Sequence, residues 1–597
     1  MKFKEILFNN PIIFLFTRQW KFSEGNRKNL VLAWIMFVFA NIMDFFRPLV
    51  IAFVLNNIQN NGLDSTNIVS ILLYLGLFVL LELGFWVFHG PARVMEIKNA
   101  FLVRANFKKY MVDGTMNLSA SWHTDHHSGD TIDKIEKGSQ AIFTFSSRSY
   151  EVIEVLVRFL GSYLALMYFN LHSAYLVFFI VLCAFTIIIK FDAYLIKQYK
   201  FIFGCENVLS AKVYDIISNI TTVIILRIEK LVSKEIWKKI MLPYKVYSLN
   251  TKISETKWFL VSMCGAFMTA TVIGSYVYVA YKSNNSVMLG TIFVLYTYVN
   301  RIADIFFHFA YRYSDIVKWR SQVWNSEEIS NQFTDYKKIQ SNLLSKPWNK
   351  LEIKNLNFSY DSNDKKLHLT NVNLEIFKGQ RIALVGESGS GKTTTLKIIR
   401  ELYPINSGEI YIDKYLLEKG FKEISANISL IPQEPEIFTT TIKENITVGV
   451  NYPMFEIQKF SKMACFEEVI ERLPNKYDSS IVEKGVNLSG GEKQRLALTR
   501  GLMASKDKEI ILLDEPTSSV DSKNELEIYQ NIFSTFKKKT ILSSIHKLHL
   551  LYLFDKIYYF KKGKIVASGT FDDLLQKSPE FKKLWEKYTR THKEPLK

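Results

Sequence analysis

Gly386-Glu-Ser-Gly-Ser-Gly-Lys-Thr393 fits the phosphate-binding pattern G-x-x-x-x-G-K-[ST]. The apolar run Arg381-Ile-Ala-Leu-Val385 before it reads as a buried strand, and Thr393–Leu402 after it reads as a helix. Strand, glycine loop, helix is the context this pattern requires. The glycines let backbone N–H groups wrap phosphate oxygens, and the helix N-terminus adds a favourable dipole. The spacing assigns Gly386, Glu387, Ser388, Gly389, Ser390, Gly391, Lys392, Thr393 and Thr394 to phosphate binding. Lys392 would neutralise the terminal phosphates, and the Thr393 hydroxyl would be a ligand for Mg²⁺.

A second buried-strand run, Ile510-Ile-Leu-Leu513, ends in Asp514-Glu515. An aspartate at a strand end suits Mg²⁺ coordination. The adjacent Glu515 suits a general base that polarises the attacking water. Between the two motifs lies Leu488-Ser-Gly-Gly-Glu-Lys-Gln-Arg495.

The half of the chain before these motifs has a different character. Six apolar stretches fall before residue 315: roughly Leu30–Leu55, Ile68–Phe88, Ile153–Phe169, Leu171–Ile189, Trp258–Tyr281 and Met288–Tyr311. Most reach the ~20 residues that cross a hydrocarbon core. Asn170-Leu-His-Ser173 reads as a tight turn between the third and fourth, because Phe159 to Ile189 carries no charged residue. A soluble protein would have to bury six such helices in series. The chain therefore predicts an all-α membrane domain followed by an α/β phosphate-binding domain. The expected boundaries are 1–29 for an N-terminal segment, 30–313 for the membrane domain, 314–349 for a polar linker and 350–597 for the second domain.

Charge sets the orientation. The chain carries a formal net charge of +18. The loop Asn56–Asn67 has no Lys or Arg, whereas Pro91–Tyr150 has eight and Lys190–Lys257 has twelve. Positive loops stay in the cytoplasm, so both termini are expected there. The excess charge needs no nucleic-acid partner, and no nucleic-acid reading motif is present. The segment Pro11–Trp20 reads either as an amphipathic helix in the inner interface or as a helix packed on the protein. The four cysteines, Cys183, Cys205, Cys264 and Cys465, form no C-x-x-C pair, which argues against a disulfide framework or a zinc site.

Five charges fall inside the expected spans: Asp44, Arg47, Glu82, Arg301 and Asp304. Each costs roughly 2.5–3.5 kcal/mol at mid-bilayer on insertion scales, so they should face a cavity or one another. Asp44–Arg47 and Arg301–Asp304 have i,i+3 spacing and could pair along their own helices. Glu154 and Arg158 fall at the cytoplasmic end of the third span and are set apart from these five. His123, His126 and His127 with Asp125 and Asp130 invite a metal reading, but a polar docking segment with a helix start at Ser128-Gly-Asp130 fits better.

On these motifs, residues 350–590 resemble the nucleotide-binding domain of ATP-binding cassette proteins, and the whole chain resembles a half-size exporter-type ABC transporter. Leu488–Arg495 carries that resemblance most strongly, since LSGGEKQR is the family signature. The resemblance implies ATP and Mg²⁺ as ligands and gives further residues a role. Tyr360 takes the place of the aromatic that stacks on adenine. Gln433 matches the glutamine that links the Mg²⁺ site to the membrane domain, and His546 matches the switch histidine near the terminal phosphate. Ser518-Ser-Val-Asp521 matches the loop that touches a partner subunit. Glu483-Lys-Gly485 sits where the family has its cross-talk segment, with a looser match.

The resemblance also implies a second chain. Ser489, Gly490 and Gly491 would cap a nucleotide held by a partner. That partner would be a second copy or a related half-transporter, and the intact motifs favour a second copy. The implied function is ATP-driven export or flipping of an amphiphile (lipid, peptide or drug) across a bilayer by alternating access. The bilayer expected is a bacterial plasma membrane. Trp122–Asp130 and Ala211–Asn219 would couple the two domains. A membrane-anchored ATPase acting as a gate or sensor, and an importer on the same fold, are the alternatives.

Overall fold

The computed structural model describes residues 10–65, 67–126, 128–333, 344, 347–360, 367–481 and 488–591. It divides into two compact units, Met1–Met116 with His127–Phe333, and Asn117–His126 with Thr334–Lys597.

The described residues of the first unit are helical. Helix α1 (Pro11–Phe22) starts at Asn10, whose side chain accepts from Ile12 N at 2.9 Å, with Pro11 at the first helical position. It buries Phe14, Leu15 and Phe22, and Arg18 pairs with Glu327 at 2.8 Å. The packed reading of this segment therefore describes it. Then follow α2 (Arg27–Asn61), α3 (Asn67–Met116), the short α4 (Ala120–Asp125), α5 (Ser128–Ser146), α6 (Ser149–Phe169), α7 (Leu171–Ser218), α8 (Ile220–Ile225), α9 (Glu229–Met241), α10 (Tyr244–Lys282) and α11 (Leu289–Ser330). Of these, α4 groups with the second unit.

Several helices outrun the apolar stretches inside them. At 1.5 Å per residue, the 50 residues of α3 extend far past a hydrocarbon core of about 30 Å. Five helical stretches among the described residues are long and apolar enough to cross a membrane. The sixth expected span lies in α11 but is not one of the five, because Asn300, Arg301 and Asp304 interrupt its apolar run. Residues 314–330, assigned to a linker by their composition, are the last turns of α11. The turn expected over Asn170–Ser173 is tighter than that. Only Asn170 leaves the helices, its side chain accepting from Ser173 N while its Nδ2 donates to Ser275 Oγ at 2.8 Å. The unit's core joins α6, α7, α10 and α11 through residues such as Leu166, Val177, Met268, Val272, Leu295 and Val299.

In the second unit, an antiparallel sheet of order β2-β1-β4-β5 uses β1 (Lys350–Phe358), β2 (Leu369–Phe377), β4 (Ser407–Ile412) and the two-residue β5 (Tyr415–Leu416). The main sheet has order β10-β9-β3-β8-β7-β6. It comprises β3 (Arg381–Val385), β6 (Ile428–Ile431), β7 (Ile510–Asp514), β8 (Thr540–Ile545), β9 (Lys556–Lys561) and β10 (Lys564–Gly569). Five of its strands run parallel, and β10 pairs antiparallel with β9. The strand pleat divides the core. Ala383, Val385, Ile511 and Leu513 join one apolar cluster, while Ile382, Leu384, Ile510 and Leu512 join the other. A sheet buried on both faces explains why these strands read as continuous apolar runs.

Eight helices complete the unit's described part: α12 (Lys392–Ile399), α13 (Ile442–Thr447), α14 (Met454–Met463), α15 (Glu467–Arg472), α16 (Gly490–Ala504), α17 (Ser522–Thr535), α18 (Phe571–Lys577) and α19 (Pro579–Thr591). Glu483-Lys-Gly485 lies outside the described residues.

Candidate functional site

Parallel strands put their carboxyl ends on one edge of the sheet, where ligands bind in such folds. Here β3 delivers Gly386–Gly391, β7 delivers Asp514 and Glu515, β8 delivers His546 and β6 leads to Gln433. Because β8 lies between β3 and β7, motifs far apart in the chain converge.

The loop needs its glycines for two reasons. A Cβ on Gly386 would stand 2.3 Å from the backbone oxygen of Phe560. Gly391 has φ +111° and caps the start of α12, a backbone conformation that L side chains rarely adopt. The Lys392 side chain is buried and folds back, donating to Gly386 O at 2.8 Å and Glu387 O at 3.2 Å. Burial lowers its pKa, with Glu515 and Asp514 opposing that shift.

Thr393 Oγ1 donates to Asp514 Oδ1 at 2.9 Å. Burial raises the Asp514 carboxyl above the ordinary aspartate value; the Thr393 hydrogen bond works against this and Glu515 adds to it. The neighbouring Glu515 carries two contacts: Gln433 Nε2 donates to its Oε2 at 2.8 Å, and His546 Nε2 lies 2.8 Å from its Oε1. Its backbone is left-handed at φ +46°, a strained conformation for a glutamate. Thr393 and Asp514, with the side-chain carbonyl of Gln433, could offer the all-oxygen donors that Mg²⁺ takes. Ser390 Oγ and Ser544 Oγ are buried without a hydrogen-bond partner among the described residues, as expected of a site built for a ligand with many acceptor oxygens.

Tyr360 sits beside the loop, its hydroxyl 3.2 Å from Thr394 Oγ1. Phe358, His368 and Tyr403 meet its ring edge-on, and the side chain is 44% exposed, so a ring face is held open. Such a face can stack on a nucleobase.

The signature residues are built differently. Ser489 caps α16 in a reciprocal box, its Oγ accepting from Glu492 N and its N–H donating to Glu492 Oε2 at 2.9 Å. A Cβ on Gly490 would meet nothing within 4 Å, whereas one on Gly491 would stand 2.7 Å from Ser519 O. Among the described residues, Ser489, Gly490 and Gly491 make no hydrogen bond to Gly386–Thr394. Asp521 caps α17 by accepting from Asn524 N at 3.0 Å.

One residue of this constellation was not singled out from sequence. Gln494 is buried, donating to Ser518 Oγ at 2.9 Å and Glu515 O at 3.2 Å, and accepting from Ser519 N at 2.7 Å. It fastens the signature helix to the strand end that carries Glu515. Its place in the Leu488–Arg495 motif was the available signal.

Comparison with known proteins agrees with this geometry. A family model described as ABC transporter matches residues 369–518. ABC transporter B family member 2 of Dictyostelium discoideum is 39% identical over 226 residues, 38% of this chain and 16% of that protein. ATP-binding cassette sub-family B member 6 of Xenopus tropicalis is 26% identical over 482 residues, 79% of this chain and 55% of that protein. A solved bacterial Atm1-family ABC exporter with ATP bound superposes with TM-score 0.78 at 20% identity, covering 94% of this chain and 99% of that one. Residues 369–518 thus match the ABC transporter family, and the chain as a whole has the fold of that solved exporter. It carries one helical domain with stretches apolar enough to cross a membrane, followed by one α/β domain with the phosphate-binding loop. The chain spans 16% to 34% of the length of four of these curated relatives.

Elsewhere in the chain, expected site residues met different partners. Arg47 pairs with Asp44 at 3.2 Å, as the i,i+3 spacing allows. Arg301 does not pair with Asp304; it crosses to α2, where its Nη2 lies 3.2 Å from Asp44. Arg158, set aside as lying near the cytoplasm, also reaches Asp44, at 3.4 Å. His126 stacks on Trp122 at 4.2 Å, and its Nδ1 lies 2.8 Å from Trp122 O. No group of three or more His, Cys, Asp or Glu side chains placed to hold a metal ion by themselves occurs among the described residues. His127 lies outside them.

Proposed function

We propose that this chain is a transporter that hydrolyses ATP at Gly386–Thr394 and uses the energy to export or flip an amphiphile across a bilayer. The observation that carries this reading is the convergence of Lys392, Thr393, Asp514, Glu515, Gln433 and His546 on one sheet edge. Lys392 exchanges its two backbone carbonyls for terminal phosphate oxygens. Thr393, Gln433 and Asp514 would hold Mg²⁺, which would supply charge neutralisation on the phosphates. Glu515 orients and deprotonates the attacking water. His546, in contact with Glu515, holds that carboxylate in place and faces the terminal phosphate.

A second chain completes the site. Ser489, Gly490 and Gly491 do not reach their own chain's loop, and they would cap the nucleotide of a partner, preferably a second copy. Supporting this, the segment from Tyr214 to Leu242 exposes Ile217, Ile224, Ile225, Leu226 and Trp237, an apolar surface between two membrane-crossing stretches. Exposed apolar patches of this kind mark association sites. Nucleotide closes the pair, Trp122–Asp130 and Ala211–Asn219 pass the motion to the spans, and hydrolysis reopens it. Both termini face the cytoplasm.

The test is ATP-dependent movement of labelled lipids, peptides and dyes in proteoliposomes with the nucleotide-binding domains outside. Vectorial movement that stops without ATP supports the proposal. ATP turnover with no net flux for any cargo would favour a gate or sensor, and movement towards the ATP side would favour import.

A further inference from the structure

Asp44 is shared by three arginines from three helices: Arg47 of α2, Arg158 of α6 and Arg301 of α11. Their distances, 3.2, 3.4 and 3.2 Å, exceed the about 2.7–2.9 Å of a well-made charge-assisted hydrogen bond. Asp44 Oδ2 is buried and receives no aligned hydrogen bond among the described residues, although two guanidinium groups stand beside it. Arg47 Nε and Arg158 Nε are also buried without a partner among the described residues. Three guanidinium forks thus converge on one short carboxylate that cannot satisfy them.

Glu82 stands 2.7 Å from Arg47 Nη2 without an aligned hydrogen bond among the described residues, and Glu154 meets Arg158 at 2.7 Å. Among the described residues Arg301 pairs with Asp44 alone, its Nη2 also donating to Asp44 O at 3.3 Å. We propose that Arg47, Arg158 and Arg301 bind the singly charged tetrahedral oxyanion head of an amphiphile, a phosphodiester or sulfonate, and that Asp44 fills this site as an internal stand-in. The inference rests on the transporter reading and narrows its cargo.

A tetrahedral head offers more acceptor oxygens than a carboxylate, spread in three dimensions, which suits forks arriving from three helices. Three arginines against Asp44, Glu82 and Glu154 leave no surplus positive charge, so a singly charged head displacing Asp44 is accommodated better than a multiply charged one. Phe85, half-buried, lies 5.1 Å from the Arg47 guanidinium and gives the chain end of the ligand an apolar surface, while the fully buried Tyr298 backs Arg301 at 5.8 Å.

The test is nucleotide-free binding to the full chain in neutral nanodiscs. The probes are fluorescent single-chain amphiphiles of one length bearing sulfonate, trimethylammonium or hydroxyl heads. The sulfonate should bind at least tenfold more tightly than the others, and free methanesulfonate should compete only weakly. Arg301→Gln should weaken the sulfonate about tenfold. Asp44→Asn, which removes the competitor, should tighten it several-fold. Equal binding of the three heads, or weakening by Asp44→Asn like that by Arg301→Gln, would overturn the site. Competition by methanesulfonate as strong as by the amphiphile would overturn the amphiphile assignment. Should Asp44→Asn fail to fold, as judged by thermal unfolding, head selectivity in wild type and in Arg158→Gln decides. Flux without head selectivity would sink this site and leave the transporter reading standing.

Discussion

Replacing Gln494 by Leu removes the clamp between the signature helix and the Glu515 strand end while keeping most of the side-chain volume. Three groups lose their partner: Ser519 N–H at 2.7 Å, Ser518 Oγ at 2.9 Å and Glu515 O at 3.2 Å, the two serines being exposed residues that water can serve instead. A hydrogen bond of this kind contributes a net of about 0.5–1.5 kcal/mol. Counting the two shorter bonds gives a loss of about 2 kcal/mol for the nucleotide-binding domain. At about 2–4 °C per kcal/mol for a domain approaching this size, its unfolding should shift down by roughly 4–8 °C.

The same substitution should act on turnover. Gln494 holds the carbonyl of Glu515, whose backbone sits at φ +46° only because its neighbours hold it there. A displacement near 1 Å at a catalytic group lowers rate about 10²-fold. Among the described residues Gln494 makes no hydrogen bond to the Gly386–Thr393 loop, so nucleotide affinity should stay within about twofold. Scanning calorimetry, a coupled ATPase assay and fluorescent-nucleotide titration separate the three quantities. Unchanged unfolding and unchanged turnover in Gln494→Leu would refute the clamp. Lost nucleotide binding with normal stability would show that it acts on the loop instead.

Gly386→Ala should abolish nucleotide binding in the same titration, because its Cβ meets backbone, not a side chain that can move. Asp514→Asn should raise the nucleotide-free unfolding temperature by about 2–4 °C near pH 7 while removing activity. The sign follows from the raised pKa of Asp514. Its contribution favours the fold below the ordinary aspartate value and is lost as pH rises through the folded value, so the charged form costs stability at neutral pH. The advantage of the variant should fade as the medium is acidified, as unfolding scans across pH would record. In the helical unit, Lys257 and Asp192 form a buried ion pair at 2.9 Å between α10 and α7. Lys257→Met alone should cost about 3–5 kcal/mol, and adding Asp192→Leu should recover most of it, in denaturation assays in detergent.

The phosphate loop was legible because its determinants are contiguous: an apolar strand, glycines at fixed spacing and a helix start. Asp514 and Glu515 followed because they end a strand whose apolar run is visible, whereas His546 was assigned through the family resemblance alone. Gln494 was not, since a glutamine in the polar run Glu492-Lys-Gln-Arg495 reads as a solvent-facing helix turn. Only the packing of α16 beside the β7 strand end buries it. The membrane charges divided similarly. The Asp44–Arg47 pair is local and could be read from spacing. The reach of Arg158 and Arg301 to Asp44 depends on how α2, α6 and α11 cross, and linear spacing carries no such information. The extension of α11 into the expected linker was hidden because its polar residues, Ser326 and Glu327 buried among them, resemble those of a loop in composition.

The central claim is that Glu515 drives hydrolysis in a transporter whose nucleotide site otherwise binds independently of it. Glu515→Gln keeps the acceptor for Gln433 and the side-chain volume but removes the base. ATP affinity and ATPase turnover of the purified, reconstituted variant are the direct measurement. The account predicts nucleotide affinity within about twofold of wild type and turnover lower by at least ~10²-fold. Turnover near the wild-type rate would contradict it.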